Sequence, residues 1–163
     1  MIELSDHTFR LFFEEDSPRG EAIGEARSAD GVTWQIVGSA PALEAGAALD
    51  AGGAASPYAV LRSSEEGRPI LDVYYTAIGR DGAHALGLAS RFADARHDGD
   101  PLERSASSML TPNAKLALRE PCVVRFASLT FLFATENASK TSTEAAVIVA
   151  VAPPLETLPL PPP

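Results

Sequence analysis

Residues 9–34 read FRLFFEEDSPRGEAIGEARSADGVTW, and most of this stretch returns at residues 71–90 as LDVYYTAIGRDGAHALGLAS. The aromatic pair that ends at Phe13 is repeated by the pair that ends at Tyr75. A fainter third copy places Phe131-Leu132-Phe133 in the aromatic position. Periodicity of this kind is typical of repeat architectures. The sequence therefore predicts a chain built from similar units.

A glycine occupies the same place in the second half of two units. Gly24 and Gly87 recur at nearly the same spacing as the aromatic pairs, each inside a run of small and apolar residues. A glycine within a strand often marks the close approach of another group. We interpret both as packing positions, with contact to a ligand as the alternative.

Each unit consists of short runs of β-branched, aromatic and small residues that are separated by turn residues. No helical periodicity of any length interrupts them. The predicted strands span residues 8–13, 21–28, 33–37, 58–62, 70–77, 85–90, 121–126, 130–135 and 145–151.

Short strands in repeated units of roughly sixty residues are typical of propeller blades. We predict an all-β fold for residues 1–152, a partial β-propeller of three consecutive antiparallel blades with the outer two incomplete. The first blade is expected to begin at its second strand, and a two-sheet sandwich is the main alternative. Residues 153–163 form a proline-rich tail that we expect to be extended or disordered.

Composition and charge narrow the range of functions. The net charge is −9, with 22 acidic and 13 basic residues, so no nucleic-acid partner is expected. The N-terminus lacks the features of a signal peptide, and no apolar run is long enough to cross a membrane, so a cytoplasmic location is the default expectation. Neither His7, His84 and His97 nor Cys122 shows a metal-ligand spacing. We predict no metal and no cofactor, and we interpret Cys122 as a core residue.

The motif Ser28-x-Asp30-Gly31-x-x-Trp34 closes the first unit. Aspartate accepts hydrogen bonds from nearby backbone amides, and glycine adopts positive φ without strain. We therefore interpret Asp30 as a brace of the turn. Trp34 is expected to cap the core between neighbouring sheets, with stacking on a sugar as the alternative.

The aromatic pair, the apolar-Gly-x-Ala-x-Ser strand and the SxDGxxW turn together resemble the blades of five-bladed propellers in glycoside hydrolase families 32, 43 and 68. The resemblance covers nearly the whole chain to Val151. The six-bladed sialidases fit less well, because their motif has one more residue between the aspartate and the glycine. The motif identifies a class of blade better than it identifies a substrate.

In the glycosidases that the chain resembles, carboxylates from different blades converge at the propeller axis. Arg119-Glu120-Pro121 resembles the Arg-Asp-Pro motif of the family, with glutamate in place of aspartate. The resemblance implies Glu120 as the candidate catalytic residue, and the alternative is a polar residue at the start of a strand. The other candidates, expected to contact substrate, are Asp50, Asp72, Tyr75, Arg119 and Glu136.

The number of blades limits the expected activity. Five units of this spacing need about three hundred residues, whereas this chain supplies roughly two and a half units. We therefore expect a carbohydrate-active, glycosidase-like fragment that binds sugar and is not catalytic alone. The alternative is a non-catalytic interaction module or a truncated product without activity.

The terminal blades should leave sheet faces uncovered, which predicts a homodimer or a second chain that completes the ring. The side chains expected to be partly exposed on these faces are Phe9, Leu11, Phe13, Phe131, Phe133 and Val147.

Overall fold

The computed structural model describes residues 1–46, 49–94, 100–110, 117–126, 129–137 and 145–152, and this part of the chain is all-β. The described residues hold no helix of the length and hydrophobicity that crossing a bilayer requires. The strands are β1 (Ile2–Glu3), β2 (Phe9–Ser17), β3 (Gly20–Ser28), β4 (Gln35–Ile36), β5 (Gly53–Ser63), β6 (Pro69–Ile78), β7 (His84–Phe92), β8 (Glu103–Arg104), β9 (Ala117–Phe126), β10 (Leu129–Asn137) and β11 (Ala145–Ala152).

The strands form three consecutive antiparallel groups, which we call blade 1 (β1–β4), blade 2 (β5–β8) and blade 3 (β9–β11). Blades 1 and 2 are joined through a single parallel pair, Glu21 with Gly53, which makes them one continuous eight-stranded sheet. Blade 3 is a separate three-stranded sheet. The predicted series of three blades is therefore confirmed, although hydrogen bonding merges the first two.

Two apolar cores lie between successive blades. The first joins Phe12 and Ile23 of blade 1 to Leu71, Val73 and Tyr75 of blade 2. The second joins the opposite face of blade 2, which includes Tyr74, Leu86 and Leu88, to Leu118, Val123, Leu132 and Ala134 of blade 3. Because side chains alternate between the two faces of a strand, β6 contributes to both cores. Blade 2 is therefore buried on both faces, which a two-sheet sandwich would not produce.

The repeated glycines are packing positions, as the sequence indicates. A Cβ atom on Gly87 would lie 2.4 Å from Cζ of Tyr75, and one on Gly24 would lie 2.5 Å from Cζ of Phe13. Each glycine is paired across the strands with the aromatic residue that lies over it. In both blades the ring occupies the volume that a side chain on the glycine would need.

The third blade fills the same volume in the opposite way. A bulge in β9 places Cys122 opposite Phe133 and Arg119 opposite Thr135, as the bulge in β5 places Tyr58 opposite Tyr74. This register makes Ala134 the counterpart of Tyr75, and Ala134 is paired with Ile148. A small residue on the second strand and a large one on the third thus replace the aromatic ring and the glycine. The sequence alignment of Phe133 with Tyr75 was wrong by one residue.

The start of blade 1 also differs from the prediction. Ile2 and Glu3 pair with Arg10 and Phe9, so a short first strand precedes β2. The turn after it repeats the turn after β5: the amide of His7 donates to the carbonyl of Leu4 (3.0 Å), as that of Gly67 donates to Ser64 (2.9 Å). His7 adopts φ 62°, the conformation that glycine supplies in blade 2. Because His7 is not a glycine, the sequence gives no turn signal at this position.

The outer strands are shorter than expected. β4 is limited to two residues, and Trp34 precedes it half-buried and outside both cores, so its predicted place as a core cap is wrong. Leu43 forms a bridge with Ile23 and Leu110 forms one with Leu86, so these two outer positions are equivalent in blades 1 and 2. The predicted tail at 153–163 lies outside the described residues.

Candidate functional site

The first strands of blades 2 and 3 each contain a residue with positive φ that precedes a proline. Ser56 has φ 49° and Glu120 has φ 54°, and each lies in a β-bulge of the first strand of its blade. Positive φ in a residue other than glycine costs about 1–3 kcal/mol and persists only where the surroundings enforce it. The following Pro57 and Pro121 donate no backbone hydrogen bond, so the bulge leaves no amide of theirs unpaired.

The bulge residues are held by the preceding blade. The amide of Ser56 donates to Glu14 Oε1 (2.6 Å), and the amide of Glu120 donates to Thr76 Oγ1 (3.0 Å). Glu14 follows Phe13 on β2, and Thr76 follows Tyr75 on β6, so the two occupy equivalent positions in the repeat. The same joint therefore fixes the start of blade 2 on blade 1 and the start of blade 3 on blade 2.

The side chain of Glu120 is exposed. Its Oε2 accepts a hydrogen bond from Thr135 Oγ1 (2.8 Å). Beside it, the Nε of Arg119 donates to His84 Nδ1 (2.6 Å), which requires that this ring nitrogen carry no proton. The structure thus brings together an oriented acidic group and a guanidinium at the junction of blades 2 and 3. Contact of either with substrate stays a prediction.

Asp72 lies elsewhere, inside blade 2. Its side chain is 0% exposed, and its two oxygens accept from Arg62 Nε (2.6 Å) and Ser90 Oγ (2.6 Å). A buried carboxylate that lost such partners would be left uncompensated. No surface of Asp72 is exposed to a sugar, and its contacts hold β5, β6 and β7 together.

Asp50 and Tyr75 form a second buried group. Asp50 Oδ2 accepts from the hydroxyl of Tyr75 (3.0 Å) and from Arg104 Nε (2.6 Å), which ties the loop before β5 to β8. Asp50 is 2% and Tyr75 is 1% exposed. Burial, followed by the charge of Asp50, raises the pKa of Tyr75 well above its ordinary value. These two predicted substrate contacts therefore face protein rather than solvent.

Glu136 is half-buried near the end of β10, paired with Leu118 and Ala146. Cys122 is also half-buried, so it is not a full core residue. Among the described residues, no group of three or more His, Cys, Asp and Glu side chains is placed to hold a metal ion.

A cavity of about 320 Å³ lies at another place on the molecule. It opens beside the first hairpin and the SxDGxxW turn, where Asp6, Arg10, Arg27 and Asp30 contribute to its wall. None of the sequence-predicted site residues lines this cavity. Its position does not support a role for it in the site around Glu120.

The SxDGxxW turn is a structural device. Asp30 Oδ1 accepts from the amides of Val32 (2.8 Å) and Thr33 (2.7 Å) and from Ser28 Oγ (2.9 Å). The amide of Thr33, followed by those other donors, holds the pKa of Asp30 well below its usual range. The predicted brace is confirmed.

Three residues at the joints between blades could not be recognised as a set from the sequence: Glu14, Thr76 and Thr135. The repeat relates the first two, but one is acidic and the other is a hydroxyl. Glu14 and Thr76 both accept a hydrogen bond from an amide of the next blade, a common property that is seen only when the blades are packed.

Comparison with solved structures identifies the fold. An α-L-arabinofuranosidase from Fusarium graminearum, bound to an iminosugar inhibitor, matches 94% of this chain at 15% identity with a TM-score of 0.67. A thermostable family-43 glycoside hydrolase matches 92% at 15% identity with a TM-score of 0.62. An α-L-arabinanase from Penicillium chrysogenum, complexed with arabinobiose, matches 92% at 15% identity with a TM-score of 0.55.

These matches cover 44%, 47% and 42% of the respective solved chains, so this chain spans less than half their length. No family model matches the sequence, and no curated protein matches it. Similarity at this level of identity describes architecture. The chain has the fold of part of a five-bladed glycoside hydrolase propeller.

Proposed function

We propose that this chain binds carbohydrate through the axial end of its blades, with Glu120 as the central residue, and that it does not hydrolyse glycosides alone. The observation that carries the proposal is the geometry of Glu120. Its backbone is strained at φ 54°, its amide is held by blade 2, and its carboxylate is exposed.

Strain of this kind supports a functional interpretation because it costs stability and presents one side chain in a fixed direction. A carboxylate that already accepts one hydrogen bond from Thr135 keeps further lone pairs for sugar hydroxyls. Arg119 and Glu136 are the neighbouring groups that we propose as further polar contacts. Asp50, Asp72 and Tyr75 would act through the blades that they hold together.

Hydrolysis requires more than one free carboxylate. One group must protonate the leaving oxygen while another attacks or activates water. Glu14 is the carboxylate at the corresponding joint between blades 1 and 2, but its Oε1 accepts from both the amide (2.6 Å) and the hydroxyl (3.2 Å) of Ser56. We infer that this carboxylate serves as a brace, so that Glu14 is not available as a catalytic partner of Glu120.

Binding can be tested with arabinobiose, the ligand of a structural neighbour. Isothermal titration and NMR shift mapping should show weak binding that shifts the signals of Glu120 and Arg119. Glu120→Gln should weaken it by about tenfold, because a charge-assisted hydrogen bond is worth about 1.5–3 kcal/mol. Glu66→Gln is the matched control, since Glu66 is exposed in the turn between β5 and β6. Equal binding by both variants would refute the role of Glu120.

Catalysis is tested separately with aryl glycosides of arabinose, xylose and fructose. We expect no turnover above that of Glu120→Gln. Robust turnover by the unaltered chain that disappears in Glu120→Gln would show that a second carboxylate takes part.

A non-catalytic interaction module is the second candidate function. The observation that favours it is an uncovered apolar sheet face on blade 3, where Val147 is 72% and Val151 is 57% exposed.

A further inference from the structure

Blade 3 ends in an apolar face that nothing in the described chain covers. Its members are Val124, Phe131, Phe133, Val147, Val149 and Val151, which we call the open face of blade 3. Cross-strand pairing places them together: Phe131 lies between Val124 and Val151, and Phe133 is paired with Val149. The four valines are between 43% and 72% exposed. Contiguous apolar surface of this kind marks an interface.

This face is the counterpart of two faces that are covered. By the register of the bulges, Phe133 corresponds to Tyr74, and Thr135 corresponds to Thr76. Tyr74 is buried against blade 3, and the hydroxyl of Thr76 accepts a hydrogen bond from the amide of Glu120 on blade 3. The equivalent residue of blade 1, Phe12, is buried against blade 2. The open face of blade 3 therefore has the composition of a face onto which another blade packs.

Blade 1 carries the complementary face, which we call the open face of blade 1 and which consists of Phe9, Leu11, Phe13 and Ile36. Phe9, Leu11 and Phe13 are half-buried on it, and Ile36 on β4, paired with Ala26 beside Leu11, is 67% exposed. The ring of Phe13 lies over Gly24, as that of Tyr75 lies over Gly87 on the face that blade 2 turns toward blade 1. The open face of blade 1 thus matches a face that already packs against a preceding blade.

From this equivalence we propose that copies of this chain associate head to tail, with the open face of blade 3 packed on the open face of blade 1 of a second copy. The contact would continue the succession of blades seen twice within the chain. Unlike the proposed sugar binding, it depends on the outer faces of the terminal blades and not on Glu120.

The size and charge of the face set the expected strength. Three strands of about eight residues cover roughly 15 Å by 27 Å, or about 400 Å² on each copy, which is the size of a weak, transient interface. We therefore expect association in the micromolar range. Each copy carries a net charge of −9, so the copies repel each other and salt should strengthen their association by screening.

Analytical ultracentrifugation of the full chain, at micromolar to hundred-micromolar concentration and at two salt concentrations, tests the proposal. Dimers or larger assemblies that grow with concentration and salt are expected. Val149→Asp, on the open face of blade 3, should weaken association at least about tenfold, because it buries an unpaired carboxylate. Val32→Asp is the matched control, since Val32 is 81% exposed in the SxDGxxW turn.

Mixing two variants decides the geometry. Leu11→Asp damages only the open face of blade 1, and Val149→Asp damages only that of blade 3, so each should be monomeric alone. Their equimolar mixture should form a 1:1 dimer through the two intact faces. Ile36→Glu replaces Leu11→Asp if circular dichroism shows that the latter unfolds.

Two results would overturn the proposal. One is a monomer for the unaltered chain at high concentration and high salt. The other is association that Val149→Asp abolishes but Leu11→Asp and Ile36→Glu leave intact, because it would show that two blade 3 faces meet each other.

Discussion

Gly87→Ala should destabilise the protein by an amount that its surroundings predict. The new Cβ atom would lie 2.4 Å from Cζ of Tyr75 and 2.7 Å from two further ring atoms. Ordinary contact between carbon atoms requires about 3.5–4.0 Å, so the ring must move by roughly 1 Å or more. Tyr75 is 1% exposed and lies in the core between blades 1 and 2, so the ring must displace its neighbours in order to move.

The displacement has two costs. Overpacking a dense core costs about 1–3 kcal/mol. Moving the ring also stretches the hydrogen bond from its hydroxyl to Asp50, now 3.0 Å, and a bond to a charged group contributes about 1.5–3 kcal/mol. We therefore expect a loss of about 3–5 kcal/mol, which is a drop in Tm of about 6–20 °C for a chain of this size.

Blade 3 supplies the rescue. It fills the equivalent volume with Ala134 and Ile148, so the double substitution Tyr75→Ala with Gly87→Ile copies an arrangement that this chain already contains. The double variant should be more stable than the sum of its single variants predicts, by at least about 2 kcal/mol. Gly24→Ala is the matched control: its Cβ meets Phe13, whose half-buried ring can turn outward at smaller cost.

Thermal and urea unfolding, followed by circular dichroism, measure these differences. A loss below about 1 kcal/mol for Gly87→Ala, or strict additivity of the double variant, would refute the explanation of the repeated glycines.

Three further predictions follow from the buried and braced polar groups. Asp72→Ala should cost about 3–5 kcal/mol in urea unfolding because it leaves Arg62 buried and unpaired, and a cost near zero would show that water reaches this pair. Burial raises the pKa of Tyr74 and Tyr75, so the stability that these neutral side chains contribute is fully present below the ordinary tyrosine pKa of about 10 and is lost as the pH rises further. Tyrosinate absorbance should therefore increase together with unfolding. Gradual ionisation of the folded protein would contradict this. The pKa of Asp30 is lowered, so its ionised carboxylate stabilises the turn at pH values above the ordinary aspartate pKa of about 4, and this stabilisation is lost as the pH falls further. The amide NMR shifts of Val32 and Thr33 should therefore change only in strong acid. Asp30→Asn should remove that change.

The sequence indicated the candidate acidic residues of the site but not which of them are exposed. Arg119-Glu120-Pro121 could be selected by its resemblance to a glycosidase motif, and the structure places Glu120 exposed at a blade joint. Asp50, before a predicted strand, and Asp72, within one, were also candidates, yet both are buried in ion pairs. The partner of Asp50 is 54 residues away in the sequence, and no local pattern indicates such a pairing.

The sequence by itself determined the long strands, the turns between most of them and their grouping into blades, but not the two-residue strands β1 and β8 or the turn at His7. Strand alternation, turn residues and the regular spacing of the units are local or periodic properties, which survive in the order of the amino acids. The same information identified Gly24 and Gly87 as packing positions, because both the glycine and its aromatic partner recur.

Only the tertiary structure decided the register of blade 3, the burial of the carboxylates and the axial joints. A shift of one residue moves every side chain of a strand to the opposite face, and the bulges that set this register have no sequence signature beyond a proline. Whether a carboxylate is a buried partner or an exposed ligand depends on which distant residues the packed blades bring to it. The register of blade 3 and the burial of each carboxylate therefore depend on interactions between segments far apart in the chain, which local sequence patterns do not contain.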